Sequence, residues 1–159
     1  MHTLVIIDMQ LPFAGSGKES LRRPILREIE LSKRNGWPIV LVEYDYADWL
    51  GTTQRYILDA LSGSDYVTCS KKRDDGSNEV HTELVKLTKS KRVRIVGVNT
   101  DCCVKYTALS LHSRFGYTVQ VVADSCWSAW DQYSENACHQ RGLNIMTKNN
   151  IRILRRETA

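Results

Sequence analysis

Several features that mark special protein classes are missing from this 159-residue sequence. Three prolines and nine glycines are too few for a collagen-like or low-complexity chain. No apolar run approaches the roughly 18–20 residues of a membrane-spanning helix, and the apolar stretch at 4–7 is too short for the core of a signal peptide. With 42% hydrophobic residues and a net charge of +4, the chain is not disordered. We expect one domain over residues 1–159, soluble and cytoplasmic, with no membrane contact.

A disulfide or zinc pattern is also missing, although the chain has five cysteines. Small secreted scaffolds carry even, dense sets of cysteines. The adjacent Cys102 and Cys103 cannot pair without distortion, and neither a CxxC pair nor a suitably spaced histidine indicates zinc. We therefore expect reduced thiols, most of them buried, with one available as a nucleophile, and we expect no metal and no cofactor.

Short apolar runs alternate with amphipathic stretches along the chain. The runs predict strands at 4–7, 39–42, 66–69, 93–98, 117–122 and 151–154. The amphipathic stretches predict helices at 18–34, 52–62, 78–88, 101–115 and 131–146. This alternation predicts an α/β fold of three layers, with a doubly wound parallel sheet of about six strands in the order 3-2-1-4-5-6 and helices on both faces.

Such a sheet binds ligands at the carboxyl ends of its strands, where the strand order reverses. The predicted order places Asp8, after the first strand, beside residues 99–103, after the fourth. Asp8 could instead cap backbone amides. Cys102 and Cys103 lie in the first turn of a predicted helix, where the helix dipole favours a thiolate and free amides can hold an oxyanion. A buried structural thiol is the alternative, and spacing does not choose between the two cysteines.

A lysine pair, Lys71 and Lys72, follows the third predicted strand. Most lysines are solvated, but one placed beside Asp8 and a cysteine would stabilise their charged forms. Such a set can carry out acyl transfer: the cysteine attacks a carbonyl, the aspartate shuttles the proton and the lysine supplies positive charge.

These motifs resemble the isochorismatase-like cysteine hydrolases, which include nicotinamidases and N-carbamoylsarcosine amidase. The resemblance rests on LVIIDMQ at 4–10, the lysine after the third strand and GVNTDCCV at 97–104, and it covers most of the chain. It implies that Cys103 is the nucleophile and Asp8 the catalytic aspartate. It also implies a cis peptide bond at Val98–Asn99 and an oxyanion hole built from the amides of Asn99 and Cys103.

The resemblance leaves the lysine open. Spacing from Val67 favours Lys71, whereas spacing to Gly76 and Ser77 favours Lys72, which we take as the catalytic lysine with Lys71 as the alternative. The aromatic segment that usually follows this lysine in the family is absent.

The substrate pocket departs from the family pattern. The stretch after the second strand lacks the histidine of zinc-dependent nicotinamidases, and none of His2, His81, His112 and His139 replaces it. Phe13, Tyr44, Trp49 and Trp127 lie near the expected mouth and are expected to bind a small planar or apolar substrate, although each could equally pack in the core or at a subunit interface.

The leading hypothesis is therefore hydrolysis of a small amide-like C–N bond through a thioester. The alternatives are an isochorismatase-type vinyl-ether hydrolase, in which the cysteine is dispensable, and a catalytically idle binding or scaffold module of the same fold. The resemblance implies a homodimer or homotetramer. The basic clusters are interspersed with acids and form no contiguous stripe in the sequence, so we expect solvated faces and no nucleic-acid partner.

Overall fold

The computed structural model describes residues 1–133 and 136–156. Its strands are β1 (Thr3–Ile7), β2 (Ile39–Tyr44), β3 (Tyr66–Lys71), β4 (Arg92–Val98), β5 (Thr118–Trp127) and β6 (Arg152–Leu154). Its α-helices are α1 (Glu19–Arg34), α2 (Arg55–Leu61), α3 (Ser77–Leu87), α4 (Lys105–Ser113) and α5 (Ala137–Lys148). Short 3-10 turns lie at Ala14–Gly17 and Ala129–Tyr133, and a π-helical turn at Thr100–Val104 leads into α4.

The six strands form one parallel sheet in the order β3-β2-β1-β4-β5-β6. This confirms the predicted fold class and strand order. Strand β1 lies between β2 and β4, with Ile7 opposite both Val42 and Gly97. The strand order reverses between β1 and β4, so the carboxyl ends of these two strands form the predicted crevice.

Alternate residues of the strands point to two separate hydrophobic layers. On one face, Leu4 and Ile6 of β1 pack with apolar residues of α1 and α2. On the other, Val5 and Ile7 pack with apolar residues of α3, α4 and α5. Burial on both faces explains why the central strands read as unbroken apolar runs in the sequence.

Two predicted boundaries differ from the structure. Strand β5 continues to Trp127 instead of ending at Val122. Of the residues between Val122 and Trp127, Asp124 is exposed and the others, including the polar Ser125, are buried. The last helix begins at Ala137 and not at 131, because a 3-10 turn occupies Ala129–Tyr133. No helix in the described part of the chain is both long and apolar enough to cross a membrane. Cys69, Cys102, Cys103 and Cys126 carry free thiols, as expected.

Candidate active site

Asp8 lies at the end of β1 in an unusual backbone conformation. Its φ of +52° is in the left-handed region, and its side chain is fully buried. Next to it in the sheet, Gly97 has a φ of +124°, and a methyl group there would collide with the carbonyl oxygen of Ile7. The glycine therefore allows β1 and β4 to approach closely where the candidate residues emerge. A buried charge in a strained backbone position is typical of functional sites.

The lysine that reaches Asp8 is Lys71, so the preference for Lys72 was wrong. The Nζ atom of Lys71 lies 2.9 Å from Oδ2 of Asp8, and both side chains are almost completely buried. The Lys72 side chain is 81% exposed and lies 3.9 Å from Asp45. The reason is the alternation of side chains along β3, which turns Lys71 towards the site and Lys72 towards solvent.

The Lys71 ammonium is held by backbone oxygens as well as by Asp8. It donates hydrogen bonds to the carbonyl oxygens of Arg73 at 3.0 Å and Asp74 at 3.4 Å. Gly76 makes room for the lysine stem, because a Cβ atom at position 76 would lie 2.7 Å from Cδ of Lys71. The turn between β3 and α3 therefore fixes the ammonium in one position.

Cys103 lies in the π-helical turn that follows β4, and it is 3% exposed. Its Sγ lies 3.9 Å from Oδ1 of Asp74, a long contact for a thiol donor. A hydrogen bond with Cys102, burial and the negative charge of Asp8 raise the pKa of the Cys103 thiol above its ordinary value, and the Lys71 ammonium opposes this. Burial and these neighbours therefore oppose the thiolate that the helix dipole favours.

The buried pair beside Cys103 is also shifted. Burial raises the pKa of Asp8 above its ordinary value, although the Lys71 charge pulls it down. Burial lowers the pKa of Lys71, but the interactions with Asp8, and to a lesser extent with Cys103, outweigh it and raise the pKa above the ordinary value. Lys71 therefore stays an ammonium near neutral pH. Asp8 is within hydrogen-bonding reach of the Cys103 thiol, so it is placed to accept the thiol proton when the sulfur attacks a carbonyl.

The peptide bond between Val98 and Asn99 is cis, as the family resemblance implied. The carbonyl oxygen of Asn99 accepts hydrogen bonds from the amides of Cys102 and Val104, and its side-chain oxygen accepts one from the amide of Ala129. These contacts hold Asn99 against the turn that carries Cys103. The oxyanion hole at the amides of Asn99 and Cys103 stays a prediction.

Three of the four predicted substrate-binding aromatics lie together beside Lys71. The Phe13 ring is 5.0 Å from Trp49 and 6.1 Å from Tyr44, and the Lys71 ammonium lies 4.0 Å from the centre of the Tyr44 ring. Trp127 makes no ring contact with this group; it packs beside Gly15, under the ammonium of Lys18 at 3.9 Å. It is the register partner of Val98, so it lies beside the cis peptide bond at Val98–Asn99.

Gln10 is a site residue whose task the sequence analysis did not identify. Its Nε2 donates to the carbonyl oxygens of Tyr44 at 3.1 Å and Trp49 at 2.9 Å, and its Oε1 accepts from the Tyr44 amide at 2.7 Å. One buried amide therefore holds both ends of the segment that carries Tyr44 and Trp49. The only signal in the sequence was its position two residues after Asp8.

Asp74 is a second residue that the sequence analysis left out of the site. Within the described residues, one group has metal-ligand chemistry: single ligand atoms of Asp74, Cys102 and Cys103 lie within 4.8 Å of one another. This group includes the candidate nucleophile, and the Lys71 ammonium is next to it. The geometry therefore suits a reacting thiol better than a cation.

The chain is similar to known proteins over most of its length. The model of the isochorismatase domain matches residues 2–154. No curated protein sequence matches the chain.

The similar solved structures share the fold at low identity. A nicotinamidase from Staphylococcus aureus is 19% identical, with a TM-score of 0.77 over 96% of this chain and 98% of that one. An N-carbamoylsarcosine amidase from Thermoplasma acidophilum is 20% identical, with a TM-score of 0.76 over both whole chains. The YcaC gene product of Escherichia coli, an octameric hydrolase of unknown specificity, is 20% identical, with a TM-score of 0.77 over 97% of this chain and 74% of that one.

Proposed function

Because the chain belongs to the isochorismatase domain family, we propose that it is a cysteine hydrolase that cleaves a small amide-like C–N bond through a thioester intermediate. The observation that carries the proposal is the buried ion pair of Asp8 and Lys71, 2.9 Å apart, beside the buried thiol of Cys103. Burying two charges costs several kcal/mol per ion, which packing alone does not require.

The reaction begins with the proton on Cys103. As the sulfur attacks the substrate carbonyl carbon, the thiol proton passes to the Asp8 carboxylate, and the carbonyl oxygen becomes an oxyanion. The backbone amides of Asn99 and Cys103 stabilise that oxyanion. Asp8 then gives its proton to the leaving nitrogen, the C–N bond breaks, and the acyl group remains on sulfur as a thioester.

Water completes the cycle. Asp8, again a carboxylate, takes a proton from water as the water oxygen attacks the thioester carbonyl. The C–S bond breaks, the acid leaves, and the proton on Asp8 returns to the sulfur. Atoms and protons balance, and the enzyme ends in the protonated thiol form that the raised pKa of Cys103 favours.

Lys71 contributes positive charge and takes no part in proton transfer. Its raised pKa keeps it charged while Asp8 alternates between its two forms. The ammonium stabilises the Asp8 carboxylate before each attack and the negative charge that passes through Cys103 during it.

The substrate belongs to the class of small planar amides or carbamoyl compounds. Phe13, Tyr44 and Trp49 give the region beside Lys71 three aromatic surfaces, which suit a flat or apolar acyl group.

The test is an ammonia-release screen over small amides, ureides and carbamoyl compounds. We expect turnover by the wild-type protein, none above background for Cys103→Ala, and near wild-type turnover for the control Cys69→Ala, whose partly buried thiol lies on β3. Mass spectrometry should find an acyl adduct on Cys103 when the reaction is quenched early.

Other outcomes would contradict the proposal. If Cys103→Ala releases ammonia as fast as wild type, the thioester route fails. Cleavage of a vinyl ether that survives the same substitution would support the vinyl-ether alternative. Absence of turnover, together with tight binding of a compound from the screen, would indicate the idle module.

A further inference from the structure

A second cleft opens at the carboxyl end of β5, and its lining includes Trp127 but none of Phe13, Tyr44 and Trp49. Its volume is about 780 Å³, and it lies between the first half of α1, the end of β5 and the residues that follow β6. Ligand pockets in proteins measure roughly 300–1,000 Å³, so this cleft has room for a nucleotide-sized molecule.

The lining of this cleft is strongly basic. Five cationic side chains line it, against the single carboxylate of Asp124: Lys18, Arg23, Arg27, Arg155 and Arg156. Burial lowers the pKa of His139, which also lines the cleft, so the imidazole adds no charge near neutral pH. The arginines of α1 and those after β6 are far apart in the chain and come together only in the folded protein.

Most of this positive charge is not neutralised by the protein. Arg156 pairs with buried Glu28 at 2.7 Å. Arg155 donates only to the amide oxygen of Gln140, and neither Arg23 nor Arg27 forms an ion pair with any residue that the structure describes. Cations gathered around one cleft create a positive potential there, which favours the binding of an anion.

Trp127 supplies a different kind of contact in the same cleft. Its indole Nε1 is buried without a hydrogen-bond partner in the described part of the protein, and the ammonium of Lys18 lies 3.9 Å from the ring centre. Trp127 thus brings an aromatic side chain to the wall of the cleft, next to guanidinium groups and with Lys18 over its ring.

We propose that this cleft binds a small organic phosphate with a planar ring, a molecule of nucleotide type. Guanidinium groups bind phosphate oxygens in pairs, so Arg23, Arg27 and Arg155 hold the phosphates. The ring lies against Trp127 beside Lys18. Asp8, Lys71 and Cys103 do not line this cleft, although its His139 contacts Thr100 of the turn that carries Cys103. Phosphate binding here does not require the proposed hydrolysis.

Isothermal titration with ATP and with pyrophosphate tests the proposal. Arg23 and Arg27 are exposed on α1, so the double variant Arg23→Ala/Arg27→Ala is expected to fold. We expect wild type to bind ATP with a micromolar Kd, and the double variant to bind at least tenfold more weakly. The control Arg141→Ala removes an exposed arginine of α5 that does not line the cleft and should change Kd less than twofold. Pyrophosphate should bind more weakly than ATP, because it lacks the ring.

Two further measurements decide between the outcomes: ATP binding by Cys103→Ala and the binding of a single-stranded RNA. Cys103→Ala should bind ATP like wild type, because the cleft does not use the nucleophile; a loss there would place ATP at the catalytic residues and overturn the proposal. Absence of heat at millimolar ATP, or equal affinity in the double variant, would also overturn it. Tighter binding of a single-stranded RNA than of ATP, lost in the same variant, would replace the small phosphate with a nucleic acid.

Discussion

At the scale of single residues, the buried Asp8–Lys71 pair matters both for the proposed chemistry and for the stability of the site. Each member is buried where an unpaired charge is not tolerated. Removing one member therefore leaves the other without compensation, whereas removing both does not. This asymmetry allows catalysis and folding to be measured separately.

The two adjacent lysines provide a matched pair of variants. Lys71→Met should lower kcat/KM on the order of 10²–10³-fold, because the charge beside Asp8 and Cys103 is lost. It should also lower the free energy of unfolding by about 3 kcal/mol, because Asp8 is left buried and unpaired. Lys72→Met, at an exposed position, should change neither quantity appreciably.

A double variant separates the two effects. Asp8→Asn/Lys71→Met should recover most of the lost stability in urea denaturation and remain inactive. If Lys72→Met were the damaging substitution, the assignment of Lys71 would be wrong.

The choice between these lysines could have been made from the sequence. Val67 and Cys69 share the inward face of β3, and Lys71 follows them at the same two-residue spacing. The preference for Lys72 rested on its spacing to Gly76 and Ser77, and it did not take into account the alternation of side chains along β3. The raised pKa of Cys103 could not be predicted, since it arises from Asp8 and Cys102 together in a buried setting.

At the scale of elements, the π-helical turn that carries Cys103 is held in place by α5. Gly142 of α5 packs so closely that a Cβ there would lie 2.8 Å from Cα of Asp101 and from the carbonyl oxygen of Thr100. His139, one turn earlier, lies 2.7 Å from the Thr100 hydroxyl oxygen. The nucleophile therefore depends on a helix that is remote from it in the chain.

Gly142→Ala should destabilise the protein, although alanine ordinarily favours a helix more than glycine does. In an exposed helix this change stabilises by roughly 0.5–1 kcal/mol, but here the methyl group meets backbone, so stability should fall by about 1–3 kcal/mol. The kcat should fall as well, because the turn shifts. Asn144→Ala, at an exposed position of the same helix, is the control and should leave kcat unchanged. A Gly142→Ala variant as stable and active as wild type would show that α5 does not position the turn.

The elements themselves were predictable where hydrophobic periodicity is strong, as in β1, β2 and α1. Prediction was weaker after residue 122, where β5 continues through Asp124 and Ser125. Polar residues usually end a strand, but here the exposed Asp124 faces outward, and the pairing of β5 with β4 resumes at Cys126.

At the scale of the whole molecule, one buried carboxylate ties together three distant parts of the chain. Glu28 of α1 lies 3.0 Å from Nη1 of Arg94 on β4 and 2.7 Å from Nη2 of Arg156, beyond β6. Glu28 is 1% exposed, so both arginines depend on it as their anion.

Glu28→Gln should therefore be costly. We expect the free energy of unfolding to fall by about 3 kcal/mol, because two guanidinium groups lose a buried partner. Glu30→Gln, an exposed change on the same helix, should stay within about 0.5 kcal/mol of wild type. Chemical denaturation of both variants makes the comparison, and equal midpoints would mean that the cluster adds nothing to stability.

The strand order of the sheet was the most predictable feature, because alternating strands and helices with right-handed crossovers allow few parallel strand orders. The basic cleft was not predictable, since Arg23 and Arg155 meet only after folding. Assembly into a homodimer or homotetramer stays a prediction, because self-association depends on contacts between chains and the structure contains one chain.

The reversal of strand order between β1 and β4 also divides the molecule in a useful way. Everything through α3 builds the β3-β2-β1 side of the sheet and carries Asp8 and Lys71; everything from β4 onward builds the other side and carries Cys103. A break in the loop at 88–91 would leave two fragments, each with half a sheet and an incomplete set of reacting groups. The proposed hydrolysis would then occur only after the two fragments had reassembled.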